Sequence, residues 1–336
     1  MIYVIIAQKS ELVWGRVKKY APLLSKSTLE YINGAQSLKT REDRLAGYTL
    51  FSLTYAMLLE VGALAPLPDG KAKSARIRKN SLKLRHIPRL TPKTIEKHSL
   101  DLSRINVSRT AAGKPYIEGA PLHFNLSHSG DAVALAISTE GEVGVDVQLA
   151  IDPTRSERLS SRFFTAPIAI ERLYDVEYLY VTADDCGIVF EHIARSDSKS
   201  ADADENKSAA TTTPCPSNVK VDEPTEGDGK AVSAFASVLD DGYAAGISSS
   251  AVAEKNIISI SAPTAGDDCT VSISSPDVDD EYTVKWSVGE AILKCDGRGF
   301  AAIGELQSIA DHTNVSSVIL NLGNDKYAVT VASEKL

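Results

Sequence analysis

The chain opens on a strand-like apolar run, Ile2 to Ala7. From about Thr40 the period changes: Leu45, Leu50, Leu53, Met57 and Leu58 recur at helical spacing, and Gly62, Pro66 and Pro68 mark the end of that helix. After Asn106 the pattern turns β-like, through Lys114-Pro115-Tyr116 and then His123 to Asp131. The alternating run Ala132 to Ser138 follows, and Gly141 turns the chain into Val143-Gly144-Val145-Asp146-Val147, which predicts a hairpin ending on an acid. Much later, Trp286 to Lys294 reads as a helix, and Asn321 to Ser333 echoes Asn125 to Ser138.

That echo predicts an α/β (α+β) protein built from two similar halves, residues 1–148 and 149–336. The second half is interrupted at about 196–281 by a segment rich in Ser, Ala, Thr and Asp. Residues 196–230 are expected to be a disordered loop, and 231–281 a β-rich insertion. Lys71 to Lys93 holds nine Lys or Arg residues with Pro88 and Pro92 among them, and reads as a basic, exposed insertion.

Composition narrows the class. With 336 residues, 43% of them hydrophobic, the chain can bury a substantial core, and no apolar stretch approaches the roughly 20 residues of a membrane span. The apolar start lacks a basic leader and a cleavage site, so a cytoplasmic, non-membrane protein is expected. Cys186, Cys215, Cys269 and Cys295 form no CxxC pair, which favours free thiols over zinc or a disulfide framework. Residues 1–148 carry 21 Lys+Arg against 13 Asp+Glu, whereas 149–336 carry 15 against 31. A basic half suits an anionic ligand, while the net charge of −8 argues against a dedicated nucleic-acid binder.

Taken alone, Glu290 and Lys294 share a helix face, which is also what an ordinary solvated i,i+4 pair looks like. His128 in its turn, and Arg44 and Lys114 as surface charges, have equally plain structural readings. The segments gain meaning together. Gly113-Lys114-Pro115-Tyr116, Asn125-Leu126-Ser127-His128-Ser129-Gly130, Gly144-Val145-Asp146 and Trp286-Ser287-Val288-Gly289-Glu290-Ala291 with Lys294 follow in that order, and then Gly297-Arg298-Gly299-Phe300. With Glu42-Asp43-Arg44 and Arg162-Phe163-Phe164, they resemble the 4′-phosphopantetheinyl transferases of the surfactin-synthetase-activating type. The resemblance covers about 1–66, 97–176 and 282–336.

The resemblance implies a holo-[acyl-carrier-protein] synthase type of reaction. The 4′-phosphopantetheine arm of coenzyme A would pass to a serine of an acyl or peptidyl carrier protein, with Mg2+ as cofactor and a monomer expected. Such phosphoryl transfer rests on positioning and charge stabilisation. By resemblance, Asp146 and Glu290 are the metal carboxylates, with Gln148 adding at most a neutral oxygen or a water. Lys294 contacts the pyrophosphate, and Glu290 also takes the serine proton, directly or through a water held by the ion. Arg44, Lys114, Ser127 and His128 bind the phosphates of coenzyme A. Trp286 and Phe124 are read as core.

Three departures stand out. Gln148 occupies the place of a third acid, Gly289 that of a Lys before the helix Glu, and residues 196–281 lengthen the second half. They motivate an alternative, a coenzyme A-binding homologue with reduced or no transfer. A third reading, a nucleic-acid arm at 71–93, lacks interleaved aromatics, since no Phe, Tyr or Trp falls between Lys71 and Lys97.

Overall fold

A computed structural model describes residues 1–20, 24–64, 84, 87–118, 120, 122–150, 176–193, 271–276 and 280–335. The expectations for 196–230, for Arg162-Phe163-Phe164 and for most of 71–93 lie outside these residues. So does nearly all of the expected β-rich stretch; Val271–Ser274 is its described part, and it is a strand.

The apolar start is strand β1, Ile2–Gln8. It lies inside a five-stranded sheet, which explains why no polar residue interrupts it. The order is β4-β5-β1-β7-β8, with β4 His123–Ser129, β5 Ala132–Ser138, β7 Val176–Asp184 and β8 Gly187–His192. β1 pairs antiparallel with β5 and parallel with β7. A second sheet has the order β6-β11-β10-β9, from β6 Val143–Leu149, β9 Val271–Ser274, β10 Thr313–Leu322 and β11 Asp325–Glu334. Val107–Arg109 (β2) and Pro115–Ile117 (β3) form a small separate ladder.

One pairing repeats between the sheets. β1 is followed by a long helix and then the hairpin β4–β5, whose second strand pairs antiparallel with β1. β6 is followed among the described residues by β7, β8 and β9, then by a helix and the hairpin β10–β11, whose second strand pairs antiparallel with β6. Both hairpins turn on a glycine at positive φ, Gly130 at 56° and Gly323 at 60°, a conformation costly for a residue with a Cβ. The segments that echo one another in sequence each form a hairpin whose second strand pairs antiparallel with an earlier strand.

Among the described residues six α-helices accompany the strands. α1 is Lys9–Val13, α2 Lys26–Asn33, α3 Leu38–Glu60, α4 Pro92–Ser103, α5 Glu281–Asp296 and α6 Leu306–Asp311. Side-chain oxygens of Ser25, Ser37 and Thr91 cap α2, α3 and α4, each accepting a free first-turn N–H. The helix read from Leu45 to Leu58 is α3. α4 had no counterpart in the sequence reading, because its weak apolar face sits beside the basic segment. His98 on α4 is buried against Glu60 at 2.8 Å, joining α4 to the end of α3.

One core lies between the sheets, built from Val4, Ala134, Val145, Val147, Leu320 and Val329 among others. α5 covers the opposite face of the second sheet with Val288, Ala291 and Ile292. α3 covers the first: Phe51 stacks on Phe124 of β4 at 4.5 Å, so Phe124 is core. Trp286 is only partly buried, 6.4 Å from the Phe300 ring. Cys186 and Cys295 are free thiols. Among the described residues no helix is long and apolar enough to cross a membrane.

Candidate active site

Strand alternation sends Phe124, Leu126 and His128 of β4 toward α3, and Asn125, Ser127 and Ser129 toward β6. Those three side chains accept the N–H groups of Val145, Val147 and Leu149 at 3.2, 3.2 and 3.0 Å. The Asn-x-Ser-x-Ser pattern is thus a side-chain ladder that joins the two sheets where no backbone ladder does. Its period of two is the reason the polar residues alternate.

Across β6, Gly144 and Asp146 face α5. A Cβ on Gly144 would lie 2.1 Å from the Ala291 carbonyl oxygen and 2.4 Å from the Cys295 nitrogen. The glycine therefore lets the helix backbone rest directly on the strand. This contact brings Glu290 and Lys294, one helical turn apart, beside Asp146.

Lys294 Nζ lies 2.6 Å from Asp146 Oδ1, 3.3 Å from Glu290 Oε2 and 3.0 Å from Ser127 Oγ. Ser127 also donates to Asp146 Oδ1 at 3.0 Å. Burial alone would lower the Lys294 pKa, but Asp146 and Glu290 outweigh it and the ammonium is held more firmly protonated. The Glu290 carboxyl is pushed up, first by burial and then by Asp146, with Lys294 opposing.

Asp146 Oδ2 is buried and has no hydrogen-bond partner. An orphaned carboxylate oxygen beside a second carboxylate is a donor set for a small hard cation, which completes its shell with waters and substrate phosphate. Asp146 and Glu290 could hold magnesium in this way. Among the described residues no three His, Cys, Asp or Glu side chains form a cluster that could hold a metal ion. Gln148 lies on the same strand face as Asp146, and its amide nitrogen donates to the Leu149 carbonyl at 3.0 Å.

His128 stands on the other side of β4, half exposed, with Nδ1 3.7 Å from Asp43 Oδ2. Asp43 is buried and receives Lys9 Nζ at 3.0 Å. Burial lowers the His128 pKa; Asp43 opposes this, while Lys294, Lys9 and Lys39 reinforce it. The imidazole thus feels the charge of three ammonium groups against that of Asp43, an environment that favours an anion.

The remaining phosphate candidates are not brought to this cluster. Arg44 donates to the Tyr31 carbonyl at 2.7 Å and lies 4.0 Å from the Tyr31 ring centroid. Arg109 lies 3.2 Å from the same centroid and donates to the Tyr48 hydroxyl. Two guanidinium groups on one tyrosine make a second concentration of positive charge. Arg109 escaped the sequence reading, although it stands only four residues before Gly113. Lys114 turns its ammonium to Glu142 and to the Cys295 carbonyl at 2.8 Å.

No family model matches the chain. Short stretches match curated proteins. A 38-residue stretch is 63% identical to the 4′-phosphopantetheinyl transferase AcpT of Salmonella typhimurium, 11% of this chain and 20% of that protein. AcpT of Escherichia coli K12 is 58% identical over 38 residues, with the same shares. The L-aminoadipate-semialdehyde dehydrogenase-phosphopantetheinyl transferase of Xenopus laevis is 35% identical over 81 residues, 21% of this chain and 27% of that protein. The chain spans about a fifth to a quarter of the length of these relatives. Over these partial stretches the chain is similar to proteins named phosphopantetheinyl transferase.

Proposed function

We propose that this protein transfers 4′-phosphopantetheine from coenzyme A to a serine of an acyl or peptidyl carrier protein, with magnesium at Asp146 and Glu290. One observation carries the reading: Lys294, Asp146, Glu290 and Ser127 meet at the junction of the two sheets, and the buried Asp146 Oδ2 is unpartnered. The two hairpins, each pairing antiparallel with an earlier strand through its second strand, support a reading of two α/β halves related by a pseudo-twofold axis, with the substrate between them.

In this reading Lys294 and His128 hold the pyrophosphate, and the Arg44–Arg109 pair takes the nucleotide end. When bound, magnesium supplies positive charge to the phosphate oxygens as the reaction proceeds. The carrier serine Oγ forms a bond to the phosphorus next to pantetheine, the bond from that phosphorus to the bridging oxygen breaks, and 3′,5′-ADP leaves with the electron pair. Glu290 receives the serine proton; burial and Asp146 push its carboxyl up, which makes it a stronger base than an ordinary carboxylate. Lys294, already pre-positioned by Asp146 and Ser127, offsets the charge that accumulates on the leaving phosphate.

A second reading, a coenzyme A-binding homologue with reduced or no transfer, draws on Gln148, which offers no charge and whose amide is engaged with Leu149. Incubation with coenzyme A, magnesium and an apo carrier protein separates the two. Release of 3′,5′-ADP that depends on the carrier serine supports transfer, and binding without release supports the second reading.

A further inference from the structure

We infer that Lys114 is a positioning residue that fixes the last turn of α5, and with it Lys294, rather than a ligand of the substrate phosphates.

Two contacts hold its ammonium. Its ammonium is 2.8 Å from the carbonyl oxygen of Cys295, which lies in the last turn of α5. It is 2.5 Å from Glu142 Oε2, and Glu142 Oε1 is 2.7 Å from His123 Nδ1. The Lys114 side chain is 9% exposed. A cation at the C-terminal carbonyls satisfies an orphan acceptor and complements the helix dipole. The chain geometry around it serves the same end. Gly297 terminates α5 in the left-handed conformation at φ 83°, and a Cβ there would meet the Lys114 stem at 3.3 Å.

Glu142 is the other half of the device. It immediately precedes β6, the strand that carries Asp146, and its carbonyl accepts from Cys295 Sγ at 3.4 Å. His123 and then Lys114 hold the Glu142 carboxyl down at about 2, against the opposing effect of burial. Lys114 and Glu142 thus tie the start of β6 to the end of α5. Gly144 adds the direct backbone contact two residues further on. Because Lys294 is the neighbour of Cys295, a shift of this turn moves its ammonium away from Asp146.

The test is a double-mutant cycle with Lys114→Met, which keeps the stem and removes the charge, and Glu142→Gln. Two readouts are taken: amide hydrogen exchange over residues 292–298, and turnover with coenzyme A affinity. The turnover arm rests on the transfer reading, while the exchange arm needs no activity and stands if that reading fails. Each single variant is expected to raise exchange in the last turn of α5 and to lower kcat about tenfold while coenzyme A affinity changes less than about threefold. The double variant should be little worse than either single one, because both remove one shared contact. If Lys114 were a phosphate ligand, Lys114→Met would weaken coenzyme A binding at unchanged exchange. Glu142→Gln would then release the ammonium and tighten binding. Either of those results overturns the inference.

Discussion

Lys294 Nζ lies 2.6 Å from Asp146 Oδ1, although 148 positions separate the two residues in the chain. The pair forms because Gly144 admits α5 onto β6, and Ser127 reaches across from the other sheet to hold both partners. Strand, helix and opposing sheet meet at this one place.

Replacing Lys294 with Ala removes the cation that faces the developing charge. Turnover should fall by about 10²–10³-fold, with a smaller loss of coenzyme A affinity, because the contact strengthens in the transition state. Steady-state kinetics combined with calorimetric binding checks the split. Equal losses in both would place Lys294 in ground-state binding alone.

His128 should make coenzyme A binding depend on pH. Its pKa is lowered in the free protein, chiefly by burial and then by the neighbouring ammonium groups against Asp43. A bound phosphate favours the imidazolium and raises that pKa. Binding should therefore take up a proton, and affinity should rise as pH falls through the range between the two values. Calorimetry in buffers of different ionisation enthalpy detects the uptake, and His128→Gln should abolish it.

Glu290 should set one function against stability. Its folded pKa lies above the ordinary carboxylate range, first through burial and then through Asp146. A raised carboxyl stabilises the fold below its unfolded pKa, and that contribution is lost as pH climbs through the folded value. Glu290→Gln should accordingly melt higher than the parent at neutral pH without metal. The parent should gain stability on adding magnesium while the variant gains little, a difference that thermal melts with and without the ion report.

Gly144→Ala tests the geometry of the helix contact. The new methyl would sit 2.1 Å from the Ala291 carbonyl oxygen, so α5 must move away from β6. Overpacking of this kind costs about 1–3 kcal/mol, and here the displaced helix carries Glu290 and Lys294. Both melting temperature and turnover should drop. Full activity in this variant would show that the close approach is not needed.

Much of this was legible in the sequence. The strands at His123 to Ser129, Ala132 to Ser138 and Val143 to Val147, and the shared face of Glu290 and Lys294, were readable because each signal is local and periodic. The expected hairpin from Ala132 to Val147 does not form, since β5 and β6 lie in different sheets, and Asp146 sits in the middle of β6 rather than at its end. Both segments of the echo are hairpin segments, β4–β5 and β10–β11. What could not be read was the destination of long side chains. Lys114 and Arg44 are cations near glycine- or acid-marked segments, yet one turns to the end of a helix formed 181 positions away and the other to Tyr31. Such partners are set by packing, and no spacing rule encodes them. α4 was hidden for a related reason: it is held by Thr91 at its start and His98 inside, and both are single residues beside a run of basic charge.

The most direct measurement is the intact mass of apo carrier proteins after incubation with this protein, coenzyme A and magnesium. Transfer predicts a shift equal to one 4′-phosphopantetheine per carrier, absent when the carrier serine is replaced by Ala and strongly reduced with Lys294→Ala. An unshifted mass across acyl and peptidyl carriers, from protein that binds coenzyme A, would contradict the proposed reaction.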